Sequence, residues 1–129
     1  MFAGVAIGGA IGSVARFALG SFIQTRVSGP FPIGTLVINV AGSLLLGFLM
    51  RYLVDGVPVS PELRALLTTG FCGGYTTFST FSYETVVLLE QGNTRRGTVY
   101  VLLSVVLSLL GVVAGITLAR EVLATRRGA

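Results

Sequence analysis

Two stretches of the chain, Val27 to Met50 and Gly97 to Ala119, contain no charged residue. A helix needs about 20 predominantly apolar residues to cross the hydrocarbon core of a bilayer, and each stretch supplies them. Two further apolar runs are each interrupted by one charge. Met1 to Ala15 meets Arg16 and resumes as Phe17 to Ile23; Ala65 to Tyr83 meets Glu84 and resumes as Thr85 to Leu89. Turn chemistry separates the four runs: Ser28-Gly29-Pro30 with Pro32, Asp55-Gly56 with Pro58 and Pro61, and Gln91-Gly92-Asn93. The pattern predicts helices at about 2–24, 33–54, 62–90 and 96–121, an all-α membrane protein of four transmembrane helices. Ser60-Pro61-Glu62 reads as an N-cap followed by proline at the first helical position. No loop is long enough to hold a soluble domain, so 1–129 reads as one transmembrane domain.

Composition strengthens this picture and narrows the chemistry. Apolar residues make up 53% of the chain and charged ones 11%, too few to cover the surface of a soluble domain. Met1 to Ala15 lacks the basic region with which a cleavable signal peptide begins, so helix one reads as retained. With no histidine, one cysteine and few carboxylates, most metal-hydrolase and nucleophilic-triad sites cannot be assembled, and an enzyme is not expected. Cys72 reads as a small packing residue. All nine basic side chains are arginine, mostly at helix ends, where topology and headgroup contact explain them without nucleic acid. Four crossings put Arg51, Arg64, Arg120, Arg126 and Arg127 on one side and Arg26, Arg95 and Arg96 on the other. That modest asymmetry is compatible with insertion in both orientations, and equally with one orientation set by the C-terminal arginines.

Helix one carries a row of Gly4, Gly8, Gly12, Arg16 and Gly20 at four-residue spacing. Lipid offers no hydrophobic drive for helix association, so such a row reads as a close-packing face. Arg16 is costly if it faces lipid; it snorkels, or it adds positive potential near an anion's path. Helix two places Thr35, Asn39, Gly42 and Ser43 within an arc of about 100°. The Asn39 amide needs a partner at that depth, and its two N–H groups suit an anion. Helix four repeats Tyr100, Ser104 and Ser108, then Gly111 and Gly115, on one face. Hydroxyls in such a row are often interhelical glue. Two polar faces without acid or base resemble a lining for a small ion.

Helix three holds Gly70-Phe71-Cys72-Gly73-Gly74-Tyr75-Thr76-Thr77-Phe78-Ser79-Thr80-Phe81-Ser82. Paired glycines and clustered hydroxyls make a poor continuous helix, and a break is expected near Gly73 to Thr77. Non-helical backbone at membrane depth survives only inside protein or along a cavity, where freed carbonyls suit a small cation. Phe78 and Phe81 follow three apart; bulk toward lipid is their common role, but an aromatic edge also favours an anion.

With these residues the chain resembles the Fluc (CrcB) family of fluoride channels over essentially its whole length. The blocks that carry the resemblance are GGAIGSVAR (Gly8 to Arg16), GTLVINVAGS (Gly34 to Ser43) and GFCGGYTTFSTFSYE (Gly70 to Glu84). It implies an antiparallel dual-topology homodimer in the inner (plasma) membrane, with two pores for passive fluoride export. By position, Phe78 and Phe81 look like the family's phenylalanine box and Asn39 like its pore asparagine. Tyr100, Ser104 and Ser108 match its polar track, Thr35 falls toward the pore mouth, and Arg16 falls near a vestibule. The backbone carbonyls of Gly73 and Thr76 correspond to a structural Na+ site on the dimer axis. Ser79, Thr80 and Glu84 occupy other polar positions of the third helix. A fluoride–proton antiporter is the alternative, with Glu84 as proton acceptor. A small multidrug transporter would need a carboxylate early in helix one, which has none.

Overall fold

The computed structural model describes residues 1–128. Three helices, α1 (Phe2–Gln24), α2 (Ile33–Asp55) and α6 (Thr94–Gly128), are each long and apolar enough to cross a membrane. Between α2 and α6 the chain is helical but bent and divided. It runs through α3 (Pro61–Ala65), a π-helical stretch Leu66–Cys72, α4 (Gly73–Tyr75) and α5 (Phe78–Glu90). No strand occurs among the described residues. Ser60 caps α3 by accepting the Leu63 N–H at 3.2 Å, with Pro61 opening the helix.

The break is narrower than the stretch Gly73 to Thr77 in which it was expected. Gly73 keeps helical geometry (φ −64°, ψ −37°), and the chain straightens only at Thr76 (φ −78°, ψ 159°) and Thr77 (φ −150°, ψ 107°). Gly74 instead serves contact: a Cβ there would lie 2.6 Å from the Gly9 carbonyl oxygen of α1. Helix α6 also exceeds its expected limits of 96–121. Its 35 residues extend roughly 50 Å at 1.5 Å each, more than a hydrocarbon core requires, so its arginine-rich end projects.

Glycines set the packing. A Cβ at Gly8 would collide with the Leu66 carbonyl oxygen, and one at Gly12 with that of Phe71, so α1 lies directly on the π-helical stretch. Helices α2 and α6 form the most extensive helix pair, seated at Gly47, Gly111 and Gly115. A Cβ at Gly47 would stand 2.5 Å from the Val112 carbonyl oxygen, and one at Gly115 would collide with that of Leu44. Large apolar side chains such as Phe2, Phe17, Leu109 and Val113 point outward, as suits a lipid-facing surface. Cys72 is buried and free, in keeping with a packing role. At the end of the bundle bearing the C-terminus, arginines cap the exposed carbonyls of α2. The Arg64 guanidinium donates to the Leu53 oxygen at 3.5 Å and that of Arg127 to the Asp55 oxygen at 3.3 Å, while Arg51 pairs with Asp55 at 2.6 Å.

Gly115→Val is expected to force α2 and α6 apart and to cost on the order of 1–3 kcal/mol, as overpacking does. A clear drop in the thermal midpoint of detergent-purified protein would register it; an unchanged midpoint would contradict the close approach.

Candidate functional site

Thr77 cannot leave a helix at membrane depth without new partners for its backbone, and Asn39 supplies them. The Thr77 N–H donates to Asn39 Oδ1 at 2.8 Å, and Asn39 Nδ2 donates to the Thr77 carbonyl at 3.1 Å. This two-way bond fixes the amide orientation, because only one face can accept from N–H while the other donates to C=O. It also changes the expectation for Asn39. One of its two N–H groups is committed to the backbone, which leaves a single donor for an ion. Thr77 then starts α5 by accepting the Thr80 N–H at 3.2 Å, and its hydroxyl donates to Thr80 Oγ1 at 2.9 Å. Ser79, exposed beside it, lies 3.4 Å from the same hydroxyl.

Beside the break lies a cleft of about 340 Å³. Asn39 and Ser43 from α2, Thr76, Thr77, Phe78 and Phe81 from the broken segment, and Ser104 and Ser108 from α6 line it. Ser104 is buried, and its Oγ has no hydrogen-bond partner among the described residues. An unpaired buried hydroxyl is costly, so it marks a place where a ligand or water can be held. The Phe78 and Phe81 rings stand 5.4 Å apart, tilted by 51°, with Phe78 on the exposed side of the cleft at 79% exposure.

The expected α6 row of Tyr100, Ser104 and Ser108 divides. Both serines line this cleft, whereas fully buried Tyr100 donates its hydroxyl to Glu84 Oε2 at 2.7 Å. Thr35 donates to the other carboxylate oxygen at 2.8 Å. Glu84 is therefore an anchor for α2 and α6, with both oxygens engaged. Phe81 joins the two groups, its ring 5.3 Å from that of Tyr100. A second cleft, of about 290 Å³, gathers Arg16, Ser13, Thr35, Thr77 and Thr80. Arg16 thus faces hydroxyls rather than lipid, and its Nε is buried without a partner among the described residues.

As cation ligands Gly73 and Thr76 would act through their carbonyl groups. The Thr77 N–H that would close the helical bond to Gly73 goes to Asn39 instead. Among the described residues neither carbonyl has a hydrogen-bond donor, while that of Gly74 accepts from the Ser13 hydroxyl at 3.4 Å. Gly73 is exposed, with open space where a Cβ would stand. Two free carbonyls on an exposed face fit a hard cation completed by oxygens from elsewhere.

Thr77 is the residue that sequence reasoning missed. It caps α5, carries the backbone clamp and lines both clefts. The available signal was Thr77-Phe78-Ser79-Thr80, a capping residue three positions after the paired glycines and next to a second threonine.

A bent helical bundle with polar clefts at membrane depth defines a multi-pass membrane protein of the channel and transporter type. Residues 3–116 match the model of the CrcB-like protein, Camphor Resistance (CrcB) family. The chain belongs to that family. It is 48% identical over 90% of its length to a fluoride-specific ion channel FluC of Rhizobium meliloti, covering 93% of that protein. A protein of the same description from Aquifex aeolicus is 46% identical, with 86% of this chain and 93% of the relative aligned. One from Geobacter sulfurreducens is 47% identical, with 91% and 94% aligned.

Asn39→Leu should leave the Thr77 N–H unpaired at about 1–3 kcal/mol and take from the Thr77 carbonyl a donor additional to that of its own helix. Asn39→Asp keeps the acceptor but loses the donor, and should fall between this variant and wild type in a detergent melting series. Melting of Asn39→Leu together with wild type would show that the clamp does not hold the break.

Proposed function

We propose that the protein is a fluoride-selective channel, not an enzyme, that lets fluoride leave the cell passively and so relieves its toxicity. The curated relatives named as fluoride-specific ion channels give the ion, and unpartnered Ser104 Oγ beside the phenyl pair is the observation that carries the path. Fluoride exchanges part of its hydration shell for weak donors: the remaining Asn39 N–H, the Ser104 and Ser108 hydroxyls, and the electropositive edges of Phe78 and Phe81. Several modest sites in series favour passage over trapping. Arg16, with Thr35, Thr77 and Thr80 around it, raises the positive potential at the approach without standing in the path.

The assembly we propose is an antiparallel, dual-topology homodimer in the plasma membrane, each chain crossing four times, with the bent segment α3–α5 as the third crossing. Exposure of Phe78 and of Gly73 supports a second copy covering this face. A structural Na+ would be held by the carbonyls of Gly73 and Thr76 from both subunits and would supply a fixed charge tying the two breaks together. Glu84 offers little support to proton-coupled exchange, because Thr35 and Tyr100 already occupy both its oxygens. Helix α1 carries no carboxylate, which disfavours a small multidrug transporter.

Purified protein in liposomes, with valinomycin clamping the potential, is expected to release fluoride rapidly and to retain chloride. Absence of fluoride release from folded protein would remove this reading. In the same assay Phe78→Ile and Phe81→Ile should lower fluoride release while leaving the dimer intact, and wild-type rates in both would sink the phenyl-edge role. Exchange of Na+ for a large organic cation should lower the melting temperature of the dimer, whereas an unchanged value would remove the sodium site.

A further inference from the structure

A third cleft, of about 380 Å³, shares no lining residue with the first, and the Tyr100 ring contacts Phe81 of the first and Phe31 of the third. Its lining includes Gln24, Phe31, Tyr83, Glu84 and Gln91. Phe81 of the first lining and Glu84 of the third are both in contact with Tyr100, which links the two clefts. Thr35 and Tyr100 hold the carboxylate from the α2 and α6 sides, and what braces Tyr100 in turn is Phe31, in the connection between α1 and α2. Its ring centroid lies 5.6 Å from that of Tyr100 at 81°, an edge-to-face contact. Four rings thus follow one another from the first cleft to the third: Phe78, Phe81, Tyr100 and Phe31.

The local sequence holds Phe31 stiffly. Gly29 takes φ +125°, a conformation that side chains rarely adopt. Pro30 and Pro32 fix φ on either side. Pro32 (φ −82°, ψ 67°) is the centre of an inverse γ-turn closed by the Ile33 N–H donating to the Phe31 carbonyl at 2.9 Å. Immediately after this turn α2 begins, bringing Thr35 to Glu84. A loop built only to connect two helices does not require this rigidity.

We propose that Phe31 is a positioning residue of the ion path. By bracing Tyr100 it keeps both Glu84 oxygens hydrogen-bonded, so the carboxylate charge cannot swing into the route between the first and third clefts. The inference rests on the fluoride-channel reading and extends it to a loop residue outside the sites assigned there. Removing the ring frees Tyr100, releases one carboxylate oxygen and places a mobile negative charge before an anion.

The test is fluoride efflux from liposomes for wild type, Phe31→Ala, Phe31→Tyr, Glu84→Gln and the double variant Phe31→Ala with Glu84→Gln. Residues coupled through one packed network predict a loss of about tenfold in Phe31→Ala and near wild-type flux in Phe31→Tyr, which keeps the aromatic edge. In the Glu84→Gln background, where no charge is left to release, Phe31→Ala should change flux by less than about twofold. Equal flux in Phe31→Ala and wild type overturns the proposal, as does an equal loss with and without the Glu84 carboxylate. Should Phe31→Ala not elute as the native species in size-exclusion chromatography, Phe31→Leu, which keeps bulk without the aromatic edge, takes its place with the same two criteria. No flux in wild type would instead overturn the fluoride-channel reading itself, and this inference with it.

Discussion

A peptide group inside a bilayer must hydrogen-bond within the protein, because lipid provides neither donor nor acceptor. At Thr76 and Thr77 the chain departs from the helix at that depth, and the departure is tolerated because the Asn39 carboxamide takes both polar groups of Thr77. Much of the site depends on that exchange. Diverting the Thr77 N–H leaves the Gly73 carbonyl free, and the kink aims α5 so that Phe78 and Phe81 meet the serines of α6. Asn39 is thus a structural clamp first, with one N–H left over for an ion.

A second constraint is distance between backbones. Contact at Gly8, Gly12, Gly47 and Gly115 removes the room that side chains would fill and lets helices touch without a hydrophobic drive. Polar side chains at the same depth are then forced into defined neighbourhoods. Glu84 receives hydroxyls from two helices, and Arg16 is turned toward Thr35, Thr77 and Thr80. Ser104 Oγ remains unpaired among the described residues, and the proposed ion path runs past it.

The apolar runs made α1, α2 and α6 legible, since charge-free length is a property of sequence alone. The location of the kink was legible only coarsely. Paired glycines suggested a break at Gly73-Gly74, but both stay helical, Gly74 packed against Gly9 of α1, and the break falls at the threonines, where a side chain from another helix takes the freed backbone groups. For the same reason the row of Tyr100, Ser104 and Ser108 was visible as a face, while its division between Glu84 and the cleft was not. That division depends on which partner stands opposite each turn of α6. The arginine-rich extension of α6 to Gly128 was missed because hydropathy ends where the bilayer does, not where the helix does.

The central claim is that fluoride moves down its own gradient through this cleft, with no proton coupled to it. The most direct measurement is the reversal potential of wild-type protein in a planar bilayer under opposed fluoride and proton gradients. The account predicts a potential set by the fluoride gradient and unmoved when the proton gradient is changed. A potential that follows the proton gradient would contradict it.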